Sequence, residues 1–196
     1  MLVLASGSPI RKALLEGAGI AVTAISADVN ERAIEAAALG ENAAPARIAV
    51  LLAKAKAEAV PGEVVIGADQ VLELEGTILH KPDNIAEARR RLDALNGRTH
   101  VLHSGVALAQ HGAVVWSACA TSRLTMRAFD TAERDDYLAA EGNDVLTSVG
   151  AYRYEGRGIR LFERIEGEHS AILGLPLLPL LAALRRHAPH LIKGFT

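Results

Sequence analysis

The segment Glu63–Leu74, EVVIGADQVLEL, constrains the fold of this chain more than any other. From Val64 to Ala68 it carries no polar side chain, so an extended strand there buries both of its faces; beyond that point the residues alternate. Asp69 falls where the pattern changes, and a strand of the form VVIGAD delivers this one carboxylate at its end. Carboxylates are rarely buried without a partner. A metal or a lysine would provide one, and a base that activates water for phosphate chemistry is a group of this kind. The alternative is an aspartate that caps a turn.

Helical and extended patterns alternate around this strand. MLVLA is a short apolar run that stops at SGSP, and a helix follows with Ile10, Leu14 and Ala18 on one face, closing at Gly17 or Gly19. PARIAVLLAKAKAEAV aligns Ile48, Leu51, Leu52, Ala55 and Ala59 in one stripe. EGT supplies a hairpin turn before ILHKP, and NIAEARRRLDALNG forms a helix that ends before Gly97. Two long segments around QHG read as an antiparallel pair. DTAERDDYLAAEG resumes helix, with Asp130 and Glu133 at capping-box spacing, and the chain closes on an apolar helix from PLLPLL. The class is α/β, with a twisted mixed sheet and flanking helices. Nothing in the pattern marks a linker or repeat, so residues 1–196 are read as a single domain.

Composition excludes several function classes. Charged residues make up 22% of the chain and the formal net charge is −2, which gives no bulk attraction to nucleic acid or membrane. SAILGLPLLPLLAAL is shorter than the roughly 20 residues that span a bilayer and contains two prolines. One cysteine, Cys119, rules out an intramolecular disulfide and reads as a small core residue. No leader pattern opens the chain, so the expected location is cytoplasmic. The seven histidines show no metal-binding spacing. Neither GxxxxGK[ST] nor GxGxxG occurs after a strand.

Candidate chemistry lies in separate segments. Ser8 is a natural N-cap and Pro9 fits the first helical position, so Arg11 and Lys12 fall at the positive end of the helix dipole. Either these long cations reach into water, or a phosphate held by backbone N–H groups, Ser6 and Ser8 brings them there. Lys56 lies about 80° from the centre of its apolar stripe and is the better candidate for a cleft, the alternative being a surface lysine that snorkels into water, whereas Lys54 points away. Lys81 sits just beyond the hairpin, its backbone restricted by the following proline. Glu31, in the polar loop DVNER, gains interest as a second carboxylate beside Asp69, since a hard divalent cation needs oxygen ligands from more than one group. EGRG permits close backbone approach near Glu155.

In this order LASGSPIRKALL, LAKAKA, IGADQV, HKP, GAYRYEGRG and LGLPL resemble the Maf family of nucleotide pyrophosphatases, over nearly the whole chain. The resemblance implies a Maf or inosine triphosphatase-like architecture, with two lobes around a central cleft. It implies cleavage of a nucleoside triphosphate between the α and β phosphates, dependence on a divalent metal such as Mg²⁺ or Mn²⁺, and frequent homodimers. By position, Ser6, Ser8 and Arg11 match the phosphate-binding motif, Asp69 the catalytic aspartate, and Glu31, Lys56 and Lys81 the other polar cleft positions. Gln70 and Glu155 are similar to the branch that acts on 7-methyl-GTP, as is the segment IRLFERIEG. Ile10 stands where that branch has tryptophan, and the base stays open among 7-methyl-GTP, dTTP or UTP, and modified nucleotides. Two other readings compete: a nucleotide-binding regulator of septum formation without turnover, and a phosphatase that releases orthophosphate stepwise.

Overall fold

The computed structural model describes residues 1–192. Seven strands form an open mixed sheet: β1 (Leu2–Ala5), β2 (Thr23–Ala24), β3 (Val64–Leu74), β4 (Thr77–Leu79), β5 (Thr99–Gln110), β6 (Ala113–Met126) and β7 (Phe162–Glu166). Their order is β2-β1-β3-β5-β6-β7, with β4 paired to β3. The helices are α1 (Pro9–Gly17), α2 (Glu31–Gly40), α3 (Pro45–Ala59), α4 (Ile85–Leu95), α5 (Thr131–Glu141), α6 (His169–Ile172) and α7 (Leu177–His187). None of the described helices is long and apolar enough to cross a membrane. The chain divides into two compact units: residues 1–70, 103–120 and 168 onward, and residues 71–102 with 121–167.

In the first unit β1 pairs in parallel with both β2 and β3, Leu4 lying opposite Ala24 on one side and Ile66 on the other. Alternation along each strand sorts the apolar residues onto two faces. Leu2, Leu4, Val64, Ile66, Val106 and Leu108 form one core with Leu15 of α1 and Leu180 and Leu184 of α7. Val3, Ala5, Val65, Ala107 and Ala109 form the other with Ala53 and Ala57 of α3. Helix starts follow the local chemistry: the Ser8 side chain accepts from Arg11 N–H and Pro9 fills the first turn, while Asn30 caps α2 by accepting from Ala33 N–H at 3.0 Å.

Two expectations change here. Glu31 is not in a loop: it is the first residue of α2, a helix hidden from pattern reading because its apolar positions are mostly alanine. Cys119 is partly exposed on β6, a strand whose first half is only partly covered, and is not a core residue.

In the second unit, Asn84 and Asp130 cap α4 and α5, accepting from Glu87 and Glu133 N–H at 2.9 Å each. β3 turns at Glu75–Gly76 into β4, and β7 pairs antiparallel with β6 across a bulge at Thr125/Met126. β7 was not legible in the glycine-rich sequence before it. His100 is fully buried, its Nε2 2.7 Å from the Tyr152 hydroxyl, while its Nδ1 is the one buried side-chain nitrogen or oxygen without a partner among the described residues. Tyr152 in turn meets Phe162 edge-on, with ring centroids 4.9 Å apart.

Burial pushes the His100 pKa down to about 4. An unfolded histidine titrates near 6.5, so between roughly pH 6.5 and 4 the unfolded chain binds a proton that the folded chain does not. Stability therefore falls as pH drops through this window, by roughly 3 kcal/mol in full. In urea titrations from pH 7.5 to 4, His100→Phe is expected to be less stable at neutral pH, through the orphaned Tyr152 hydroxyl, and to lose this part of the acid dependence.

Candidate active site

The chain leaves β1 through α1 to reach β2 on one side, then returns through α2 and α3 to β3 on the other. The order of the parallel strands thus reverses at β1 and β3, and ligands of open α/β sheets bind outside the carboxyl ends of strands at such a point. Ser6 directly follows β1, and Ala5 pairs with Gly67. Past that pair the β3 edge has lost its neighbour, so the carbonyl of Ala68 needs another donor. Arg11 supplies it: Nη1 lies 3.0 Å from Ala68 O and 3.1 Å from Ser6 Oγ, and Nε donates to Gly174 O at 2.8 Å. Three of five guanidinium protons are used, and Nη2 has no protein acceptor among the described residues.

Ser6 is buried and its Oγ also accepts from Ser8 N–H at 3.2 Å, which shapes the turn between β1 and α1. Ser8 spends its side chain on capping. Desolvation pulls the Arg11 pKa below its ordinary value, opposed by the charges of Asp69 and Glu31. With a starting point this high the side chain stays cationic. Lys12 pairs with Glu16 at 3.4 Å on the outside of α1, and Ile10 is partly exposed in the first turn.

On the other face of the sheet stands Asp69. It is not at the end of its strand, because β3 runs on to Leu74, yet it is buried and has the partner that burial demands. Lys56 Nζ lies 2.5 Å from Asp69 Oδ1 and 2.7 Å from Glu31 Oε1, so one ammonium joins two carboxylates from α2 and β3. The cause is the seating of α3. A Cβ built on Gly67 would lie 2.0 Å from Ala53 O and 2.6 Å from Ala57 N, and one on Gly105 2.2 Å from Ala49 O. Only glycine in the strands lets the α3 backbone come so close. Gly67 and Asp69 share a strand face, and Lys56 precedes Ala57 on the helix, so the contact that seats α3 also presents Lys56 to Asp69.

A divalent cation takes six or more oxygen ligands. Among the described residues no group of three or more His, Cys, Asp or Glu side chains is placed to hold one. Glu31 and Asp69 already converge on a positive charge, so the donor set fits a cation whose remaining ligands come from outside the protein.

The family model described as Maf-like protein matches residues 1–187. The chain belongs to the Maf family. It is 49% identical over 189 residues to a protein of Brucella abortus named 7-methyl-GTP pyrophosphatase, covering 94% of this chain and 95% of that one. A Mesorhizobium japonicum protein of the same name is 49% identical over 188 residues, covering 94% of each. A Bradyrhizobium diazoefficiens protein named nucleoside triphosphate pyrophosphatase is 51% identical over 188 residues, covering 94% of this chain and 92% of that one.

In this member of the Maf family, Ser6, Ser8, Ile10, Arg11, Glu31, Lys56, Asp69 and Gln70 all belong to the first unit. Gln70 faces away from Asp69, its amide nitrogen 2.9 Å from Ser104 Oγ and 3.1 Å from the carbonyls of both Ala171 and Ile172. Lys81 and Glu155 belong to the second unit. Lys81 is exposed two residues after β4, and Glu155 accepts from Arg153 Nε at 3.3 Å. Sequence reading gave no role to Gly174 or Ser104. The glycine in LGLPL, between apolar residues and ahead of a proline, was the available signal; Ser104 sits in a strand and gave none.

Gly67→Ala is expected to lower stability by about 3 kcal/mol or more, the upper range of overpacking costs, because the added methyl meets backbone. Gly17→Ala, at the end of α1 with nothing near its Cβ, should be neutral or slightly stabilising. Midpoints in urea compare the two; equal midpoints would remove the seating of α3 as the constraint.

Proposed function

We propose that this chain hydrolyses nucleoside triphosphates at the α–β anhydride, releasing a monophosphate and pyrophosphate. The observation that carries the reading is the buried Lys56–Asp69 pair next to Ala68, whose carbonyl holds Arg11 where β3 runs past the carboxyl end of β1. A site that only bound a polyanion would have no use for a buried carboxylate facing it. The names of the Brucella and Bradyrhizobium relatives support the same reaction.

Lys56 occupies Asp69 Oδ1, which leaves Oδ2 to take the proton of the attacking water. Lys56 and the Nη2 edge of Arg11 neutralise phosphate oxygens and stabilise the charge that develops on the departing pyrophosphate. The Ser6 hydroxyl adds a neutral donor. A Mg²⁺ or Mn²⁺ ion, held by Glu31 and Asp69 with phosphate oxygens and water, would supply further charge neutralisation when bound. The relatives named for 7-methyl-GTP favour a methylated purine nucleotide as the preferred substrate.

The test is incubation with 7-methyl-GTP, GTP, dTTP, UTP and modified pyrimidine triphosphates in Mg²⁺ or Mn²⁺, with both products quantified. Monophosphate and pyrophosphate should appear in equal amounts; orthophosphate released stepwise, or no product from any nucleotide, overturns the proposal. Asp69→Asn should lower kcat by about 10²- to 10⁴-fold with nucleotide binding retained, the usual contribution of a general base.

A further inference from the structure

The geometry points to residues 168–175 as the strap that positions Arg11, with Gln70 and Ser104 as the residues that hold it. The inference rests on the reading of Arg11 as a phosphate-binding cation. Its starting point is the Gln70 amide, whose orientation is fixed by its surroundings: two carbonyl oxygens face it, so the nitrogen must lie on that side. The amide has two protons and three acceptors within 3.1 Å, and the Ser104 hydroxyl adds its own proton to Ala171 O at 2.7 Å. The Gln70 nitrogen is therefore consumed by the protein and is not offered to a nucleotide base.

What it holds is a segment with little stability of its own. α6 is a single turn, too short to persist by itself, and although Ala171 O accepts Gly174 N–H at 2.9 Å, Ile172 O has no backbone donor among the described residues. Gln70 supplies that donor and, with Ser104, a further one to Ala171 O. Two residues further on, Gly174 adopts φ +93° and aims its carbonyl at Arg11 Nε. A Cβ there would lie 3.2 Å from both Nε and Nη2, so the guanidinium rests against a bare backbone. The far end is tied as well: Ser170 Oγ accepts from Leu177 N–H at 3.0 Å, and Glu168 Oε1 from Leu178 N–H at 3.2 Å, at the start of α7. With both ends anchored, Gly174 O is a fixed point for Nε, and the rigid guanidinium transmits that fixity to its Nη2 edge.

Gln70 thus acts on the phosphates through Arg11, and its effect is independent of the base. Gln70→Leu should lower kcat/KM by a common factor of about tenfold on every nucleoside triphosphate hydrolysed, chiefly through KM, with Ser104→Ala smaller in the same direction. Calorimetric affinity for inorganic pyrophosphate should fall in parallel. In an Arg11→Lys background, where the Nε contact is gone, Gln70→Leu should leave pyrophosphate affinity unchanged. A shift in the preference among bases, an unchanged pyrophosphate affinity in the single variant, or losses that add in the Arg11→Lys background each overturn the inference. If Gln70→Leu does not fold, Ser104→Ala completes the same cycle. Pyrophosphate binding needs no turnover, so a chain that shows this coupling but hydrolyses no nucleotide would sink the pyrophosphatase reading and leave the strap intact.

Discussion

Close approach of the α3 backbone to β3 and β5 is the constraint on which the first unit depends. Gly67 and Gly105 leave room for Ala53, Ala57 and Ala49, and no side chain larger than hydrogen fits at either strand position. The helix is consequently small-sided where it meets the sheet, and its long polar residue, Lys56, projects just beyond the contact. The burial of Asp69 follows from this seating. Its desolvation is tolerated because the ammonium arrives with the helix, and removing Lys56 would leave Asp69 as a buried, uncompensated charge.

Two devices for handling charge meet at the switch point. Lys56 lies between two carboxylates, so its single positive charge is already shared by two acids before any polyanion arrives. Arg11 is held instead by neutral acceptors, two carbonyls and a hydroxyl, which orient it without cancelling its charge. The first arrangement suits a group that must exchange partners, and the second a group that must stay where it is. The helix-start position of Arg11, unfavourable by the dipole alone, is resolved by acceptors drawn from β3 and from the segment before α7.

Much of this was legible in the residues. Val64–Ala68 could only be a strand covered on both faces, Ser8 and Pro9 fixed the start of α1, and the helix phase of Lys56 separated it from Lys54. Local rules suffice there, since each depends on neighbours within a turn or a strand. Glu31 was misplaced because the alanines of α2 give pattern reading almost nothing to find, although Asn30 marked its cap. Cys119 was misjudged for the converse reason: an apolar segment says nothing about whether a second layer covers it. The direction of Gln70 and the use of Gly174 depend on backbone carbonyls supplied by distant segments, and no residue type encodes where another segment's carbonyl will be.

The bond between Arg11 and Gly174 also has a meaning in time. Its partners are 163 residues apart, among the widest separations in the chain. β1, next to the centre of the sheet, cannot find β3 until some sixty further residues exist, and Arg11 has no complete set of acceptors until nearly the whole chain has been made. A nascent chain leaving the ribosome can therefore build its first helix early but cannot hold this cation in its final pose until the segment before α7 has been made.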